Sequence, residues 1–380
     1  MKRRIAAAGV VAAVAVVAAS ADEPLRRDAA LLFGEIKAST AAASPQAELG
    51  RTLFWDTRVS LDGKTACASC HLARDWGADR RPFSTDARGE LTSRHSPTVF
   101  NATSQPMTRW LADRKDSADQ AEGSLTGSMG FASKDDGMAK VAELQYAAAF
   151  KAAYPDDAQP MTRWLADRND AADQAEGSLT GSLGFASREA ALAKLRELGY
   201  AEQFRAVFPR DPEPLSSRNY GLALQAYEAT LVTPAAFDRF LAGDDGALSE
   251  RQKAGLRAFV TVGCALCHSG RNLGGTTLQK FGLAKDYWLE TGSRKIDQGR
   301  FSITKKEEDR YVFRVPMLRN VAKTAPYFHD GSVERLDRAV RIMATLQLAR
   351  ELDDPTVGEI VAFLEALTGG IPSNYAPPRR

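Results

Sequence analysis

The stretches Cys67-Ala68-Ser69-Cys70-His71 and Cys264-Ala265-Leu266-Cys267-His268 decide how this chain folds. Each has the spacing C-x-x-C-H, in which two thiols can add to the vinyl groups of a heme while the adjacent histidine reaches the iron. Paired C-x-x-C elements also bind zinc, but these two lie in opposite halves of the chain and both precede a histidine. The sequence therefore predicts two covalently attached c-type hemes, with His71 and His268 as proximal ligands.

The ligand on the other face of each iron must come from a short inventory. The chain has four histidines, so His95 and His329 remain, together with seven methionines. A thioether stabilises ferrous iron and raises the potential, whereas an iron with an empty face can bind and activate peroxide. A functional pair of hemes would have one of each. All four cysteines belong to the two motifs, so none remains to form a disulfide.

The first residues are typical of a secretory signal. Lys2, Arg3 and Arg4 precede an uncharged run over residues 5–19, which ends in the small residues 19–21. That run is shorter than the roughly 20 residues of a membrane-spanning helix, and no later segment approaches this length. We therefore expect residues 1–21 to be a signal peptide, the protein to be periplasmic, and no membrane span. The remaining charge is near neutral and indicates no nucleic-acid partner.

The pattern downstream is mainly helical, and strand signals are scarce. Ser44 followed by Pro45 is typical of a helix start, and Ser249 with Gln252 forms a capping box. Ser332 is a candidate cap for a later helix, whereas residues 274–314 indicate a long polar excursion. The length predicts two domains, over residues 22–240 and 241–380.

A tandem duplication interrupts the first half of the chain. Residues 105–133 and 159–187 differ at only three positions, and the 54-residue repeat extends over about 104–211. Solenoid proteins need three or more stacked units, so two copies do not predict a repeat architecture. An internal duplication within one domain is the better interpretation.

Longer strings around the two motifs resemble the bacterial diheme cytochrome c peroxidase and MauG-like family. They are Leu-Phe-Trp-Asp-x-Arg-x-Ser at 53–60, Ser-Pro-Thr-Val-Phe-Asn at 96–101, Phe-Arg-Val-Pro-Met-Leu-Arg-Asn-Val at 313–321 and Thr-Ala-Pro-Tyr-Phe-His-Asp-Gly at 324–331. The resemblance implies two cytochrome c-like domains, each with one covalently attached heme. It assigns the peroxidatic heme to the N-terminal domain and the electron-transfer heme to the C-terminal one.

The same resemblance implies metal ligands beyond the two motifs. Met343 stands where such proteins have the sulfur ligand of the electron-transfer heme, although a methionine on an amphipathic helix is also ordinary core. MauG-type relatives have a tyrosine there, so Met343 favours the peroxidase branch. The family also binds calcium between its hemes, and Asn101, Thr324 and Pro326 stand at the matching places.

A tryptophan between the hemes, followed by a glutamine, serves as an electron-transfer bridge in this family. Both repeat copies have this pair, as Trp110 with Gln120 and as Trp164 with Gln174. Only one copy can occupy the gap between the hemes, and the short distance from Asn101 favours Trp110. The other tryptophan would then be a packed aromatic residue.

Two departures from the family pattern concern the peroxidatic face. Ala87 stands where many members have a distal histidine, and Gly130 or Gly184 where they have a distal glutamate. An open heme that needs no prior reduction follows from the first departure. The second departure leaves the proton-transfer group open. Candidates are His95, Glu122 or Glu176, and Gln120 or Gln174 acting through a water. His95 could instead bond to the loop backbone.

The function implied is a periplasmic peroxidase that reduces hydrogen peroxide to water with electrons from a small cytochrome c or a cupredoxin. One alternative is a MauG-like oxidase that modifies a tryptophan or tyrosine of a partner protein. The other is an electron carrier without catalysis, which would have two protein ligands on both irons. The oligomeric state stays open, with a homodimer as one option.

Overall fold

The computed structural model describes residues 22–38, 44–114, 116–144, 146 and 217–378, and the mainly helical architecture is confirmed there. The helices are α1 Glu23–Leu32, α2 Pro45–Trp55, α3 Ser117–Thr126, α4 Lys134–Glu143, α5 Ser217–Glu228, α6 Ala236–Leu241, α7 Glu250–Val262, α8 Tyr287–Thr291, α9 Phe301–Thr304, α10 Leu336–Leu348 and α11 Asp354–Glu365. Strands β1 Leu278–Lys280 and β2 Val312–Arg314 pair antiparallel. The predicted signal peptide and most of the second repeat copy, Trp164 included, lie outside the described residues.

Two pairs of helices cross at close range. One C-x-x-C-H motif follows the first helix of each pair along the chain. In the first pair, α2 crosses α5 at Gly50, where an added Cβ would lie 1.8 Å from the carbonyl oxygen of Ala223. In the second, α7 crosses α11 at Gly255, where a Cβ would lie 1.9 Å from the carbonyl oxygen of Glu359. Glycine is required at both crossings because any side chain would push the helices apart. The chain therefore repeats one helix-pair arrangement in its two halves.

Each helix pair has its own hydrophobic core. The first core gathers Leu53, Phe54, Phe100 and Leu224, with Tyr375 from the C-terminal segment. The second core is built on the α7 and α11 pair and includes residues from α1 and α6. Tyr375 and residues of α1 thus each pack in the core of the opposite half, and the predicted boundary at residue 240 stays a prediction.

Helix starts follow the local capping chemistry in two of the three predicted places. The Ser44 hydroxyl accepts from the Ala47 amide at 3.1 Å, and α2 begins at Pro45. The Ser249 capping box is also confirmed. The predicted cap at Ser332 is wrong, because α10 begins only at Leu336.

The excursion over 274–314 contains both strands and two short helices. Within the described residues, no helix combines the length and apolarity of a membrane span.

A buried ion pair joins α6 to the loop that precedes α10. Arg319 is fully buried and binds Asp238 through two nitrogens at 2.7 and 2.8 Å. The same carboxylate accepts from the backbone amides of Ile36 and Ala235, both at 2.7 Å. Four donors on one buried carboxylate balance its desolvation, so the pair depends on both members.

Replacing Arg319 with alanine is expected to destabilise the fold by about 3–5 kcal/mol, because it leaves the Asp238 charge buried without its partner. Urea denaturation of the holoprotein, followed by circular dichroism, measures the change. Arg335 binds Asp337 with similar distances, but on the surface. The Arg335→Ala variant is the matched control and should unfold almost as the unchanged protein does. Equal midpoints for the two variants would show that burial does not strengthen the pair.

Candidate heme sites and the region between them

The first motif presents its histidine in an orientation suited to iron ligation. Cys67–Ser69 form a single 3-10 turn, and the amide of His71 donates to the carbonyl oxygen of Cys67 at 3.1 Å. The Nδ1 atom of His71 lies 2.9 Å from the carbonyl oxygen of Gly77. Because a carbonyl can only accept, Nδ1 carries the proton and Nε2 is left for a metal. Burial also lowers the pKa of His71, which favours the neutral form that binds metals.

The second motif repeats this geometry. Cys264–Leu266 form the turn, and Nδ1 of His268 lies 3.1 Å from the carbonyl oxygen of Leu273. Burial lowers the pKa of His268 as well. None of the four cysteines forms a disulfide. Both motifs therefore fit a covalently attached heme, because no thiol is used in a disulfide and a backbone carbonyl fixes the orientation of each imidazole.

A cavity lined mainly by apolar side chains adjoins the second motif. Cys264, Cys267 and His268 line it together with two methionines, Met317 and Met343. The set of two thiols, an imidazole and a thioether matches the donors of a His/Met heme. The cavity is therefore a fitting site for the second heme.

The two methionines differ in position. Met317 follows Pro316, which packs on the Nδ1 side of His268, since a Cβ on Gly274 would contact both. The Met317 sulfur also accepts from the Gln105 side chain at 3.4 Å. Met343 comes instead from α10 and has no such partner described. Met343 therefore shares the cavity with His268, and its role as the sulfur ligand stays a prediction.

Trp110 lies in the wall of this cavity and ties it to the first half of the chain. Its indole nitrogen donates to the carbonyl oxygen of His95 at 2.8 Å. Its own carbonyl oxygen accepts from the Arg314 amide at 2.8 Å, and the Arg314 side chain donates to the carbonyl oxygen of Arg109 at 2.7 Å. Arg314 is buried, which lowers its pKa to about 10. The second half of the chain therefore holds the tryptophan in place.

His329 lies beside Trp110 at the same wall. The two rings meet edge to face, with their centroids 6.3 Å apart. Nε2 of His329 is buried without a hydrogen-bond partner among the described residues and lies 3.9 Å from Asp297, which Arg94 binds at 2.7 and 2.9 Å. Sequence reasoning offered His329 only as a sixth ligand. The arrangement of His329, Asp297 and Arg94 was not predicted, because Arg94 and Asp297 are far apart in the chain.

His95 is buried and adopts the backbone-bonded alternative. Its Nδ1 atom lies 3.1 Å from the carbonyl oxygen of Arg81, and its amide donates to the carbonyl oxygen of His329 at 2.7 Å. Burial lowers its pKa. The residue lines the cavity of the second motif. It therefore lies between the two halves rather than in a pocket of its own beside the first motif.

Ala87 and Gly130, the two departures from the family pattern, lie side by side. A Cβ on Gly130 would be 3.0 Å from the Cβ of Ala87, and the Ala87 amide donates to the carbonyl oxygen of Ser128 at 2.9 Å. The flanking Met129 and Phe131 pack with Cys67 of the first motif. The first repeat copy therefore occupies this place, and neither Ala87 nor Gly130 offers a group that could ligate iron or carry a proton.

Two candidates for proton transfer lie on α3. Glu122 forms an ion pair with Lys134, with 2.6 Å between Nζ and Oε1. This contact ties the carboxylate to α4 and does not favour an acid-base role. Gln120 differs, because its Oε1 atom is buried without a hydrogen-bond partner in the described part of the chain. Gln174 and Glu176 lie outside the described residues.

Asn101, the predicted calcium ligand, is bonded to Thr233. Its buried side chain donates to the Thr233 hydroxyl at 2.7 Å and accepts from the Thr233 amide at 2.9 Å. Thr324 and Pro326 do line the cavity. The calcium site at these three residues stays a prediction.

The comparisons with known proteins agree with the two-motif architecture. A family model described as di-haem cytochrome c peroxidase matches residues 44–167 and again residues 158–246, and the two matches overlap within the duplicated segment. The chain belongs to this family. It is accordingly a heme peroxidase, an oxidoreductase that takes two heme cofactors.

Two relatives are named cytochrome c551 peroxidase. The one from Pseudomonas aeruginosa is 38% identical over 86% of this chain and 80% of its own length. The one from Nitrosomonas europaea is 32% identical over 90% of this chain and 85% of its own length. A crystal structure of a MauG-like protein associated with microbial copper homeostasis covers 92% of this chain and 99% of its own, with a TM-score of 0.62 and 22% identity. That likeness shows the fold alone.

Proposed function

We propose that this peroxidase works in the periplasm, where it reduces hydrogen peroxide to two waters with two electrons and two protons. The electrons come from a small cytochrome c or a cupredoxin and enter at the C-terminal heme held by Cys264, Cys267, His268 and Met343. The N-terminal heme, held by Cys67, Cys70 and His71, supplies the iron at which peroxide is reduced.

The asymmetry between the two sites carries this proposal. Met343 reaches the cavity of His268 and supports a six-coordinate site suited to electron entry. Ala87 and Gly130, beside the segment that packs on Cys67, carry no side chain that could ligate an iron. One iron can then stay closed while the other stays open to peroxide.

Trp110 supports a path between the two sites. Its indole is fixed at the backbone of His95, and its carbonyl is fixed by Arg314, so it bridges the halves in one orientation. A rigid aromatic ring held between the two halves would shorten the gap that an electron must cross. Trp110, rather than Trp164, is therefore the proposed bridge.

Gln120 is the proposed positioning group for a water near the open face. Its unpartnered Oε1 atom can accept a hydrogen bond from a water, and that water can then move a proton between the two peroxide oxygens. Glu122 and His95 are weaker candidates because Lys134 and the Arg81 carbonyl engage them. Calcium at the Thr324 and Pro326 carbonyls stays a prediction, as does a homodimer.

Steady-state turnover tests the proposal. With both hemes loaded, peroxide should be consumed only when a reduced small cytochrome is present, with two cytochromes oxidised for each peroxide. Peroxide uptake without donor oxidation, together with modification of a partner protein, would instead favour a MauG-like oxidase. Two six-coordinate irons in both oxidation states, with no turnover, would leave only an electron carrier.

A further inference from the structure

A cluster of aromatic side chains packs against the backbone and imidazole of His71. Phe54 lies 6.4 Å from the imidazole between ring centroids, and Phe100 meets Tyr375 at 4.7 Å. Three side chains that can give up an electron contact one another there, since Trp55 meets both Tyr375 and Tyr227, and the same core contains Tyr146 and Trp76. The function proposed above uses none of them.

Tyr375 links this cluster directly to the histidine. Its hydroxyl donates to the carbonyl oxygen of His71 at 2.6 Å, and its ring meets the Trp55 ring edge to face with centroids 5.4 Å apart. Trp55 is only partly buried, whereas Tyr375 is 4% exposed. One hydrogen bond and one ring contact therefore connect the proximal ligand to an indole at the surface.

Neither Tyr375 nor Tyr227 is a favourable place for a lasting radical. Oxidation of a phenol requires loss of its proton, and the Tyr375 and Tyr227 hydroxyls both donate to backbone carbonyls, which are not bases. Burial raises the pKa of Tyr227 to about 12. An indole can lose an electron before its proton, so Trp55 is the better terminus.

Trp76, the other tryptophan near His71, is less suited to this role. The Lys323 ammonium lies 5.5 Å from its ring centroid, and a fixed positive charge opposes removal of an electron from that ring. Its indole nitrogen is also bound to the carbonyl oxygen of Gly369 at 2.9 Å, which turns it towards the second half of the chain. Trp55 instead donates to the Tyr227 hydroxyl at 3.3 Å.

We propose that Trp55 is a sacrificial electron donor that serves the His71 heme site through Tyr375 when the external donor is exhausted. Two electrons leave the indole and reduce one hydrogen peroxide to water. A solvent water adds to the oxidised ring and releases two protons, so that tryptophan and peroxide yield hydroxytryptophan and water. The oxidising equivalent thus ends at the surface and not on the porphyrin or in the core.

This inference rests on the proposed function, and one experiment separates the two. The diheme protein is treated anaerobically with a few equivalents of peroxide, without donor, in oxygen-18-labelled water. Peroxide loss and peptide masses are measured in the same sample. The expected result is the mass gain of one labelled oxygen at Trp55, well above any gain at Trp76 or Trp288. Trp288 is likewise partly buried but packs in a different core and serves as the internal control.

Two variants test the route. Tyr375→Phe keeps the ring but removes the hydrogen bond to His71, and should lower labelling of Trp55 severalfold. Trp55→Phe should lower severalfold the number of donor-free turnovers before the heme is bleached, whereas Trp288→Phe should not. Peroxide loss with Trp55 unmodified, or with oxygen taken from peroxide, overturns the inference. No peroxide loss at all, with or without a donor, overturns the proposed function.

Discussion

Replacing Met343 with leucine is expected to lower the reduction potential of the C-terminal heme by on the order of 0.1 V, because the thioether stabilises ferrous iron. Leucine keeps most of the volume of methionine, so the helix should stay in place. The sulfur-to-iron charge-transfer absorption should disappear, and turnover with the donor cytochrome should collapse. A spectroscopic redox titration of each heme measures the shift.

Met317 supplies the matched control for this experiment. It lines the same cavity and also carries a sulfur, but its neighbour Pro316 lies on the Nδ1 side of His268. The Met317→Leu variant should keep the sulfur absorption and a nearly unchanged potential. If instead Met317→Leu loses the absorption and Met343→Leu retains it, the assigned ligand is wrong, and with it the asymmetry on which the proposed function depends.

Replacing Ala87 with histidine is expected to close the N-terminal heme. Ala87 is buried beside Gly130, at the position where many family members have a distal histidine, so the added imidazole is expected to reach the iron on its open face. If it occupies the iron in about 99% of molecules, reaction with peroxide slows about 100-fold. The spin state of the His71 heme and the rate of peroxide binding measure this change.

An Ala87→Leu variant separates ligation from bulk. Leucine fills the same space without a nitrogen, so the iron should stay high-spin, with only a modest loss of rate. Prior reduction of the C-terminal heme should restore rate to the histidine variant if that ligand can leave. A histidine variant that stays high-spin would show that Ala87 does not face this iron.

Local chemistry explains why much of the fold and part of the candidate site could be predicted. The C-x-x-C-H spacing acts within one turn, so both histidine orientations follow from a few neighbouring residues. The caps at Ser44 and Ser249 are likewise decided within four residues. Met343 was placed by the family resemblance, and the cavity now gives that prediction a geometric basis.

Contacts between residues far apart in the chain decided features of the site that the sequence could not predict. Asn101 has a residue type suited to calcium, and its carboxamide bonds to Thr233 across the fold. Glu122 has the chemistry of a proton donor, but Lys134 neutralises it. No local pattern reveals either partner, since both come from another helix or loop.

By itself, the sequence determined the two heme-attachment motifs, the helical class and the duplication, because each depends on spacing within a short segment. Only the tertiary structure decided which repeat copy stands beside Ala87, that Met343 and Met317 share a cavity with His268, and how Tyr375 reaches the backbone of the first motif. The physical reason is that these contacts join residues far apart in the chain, and packing of the two helix pairs sets them.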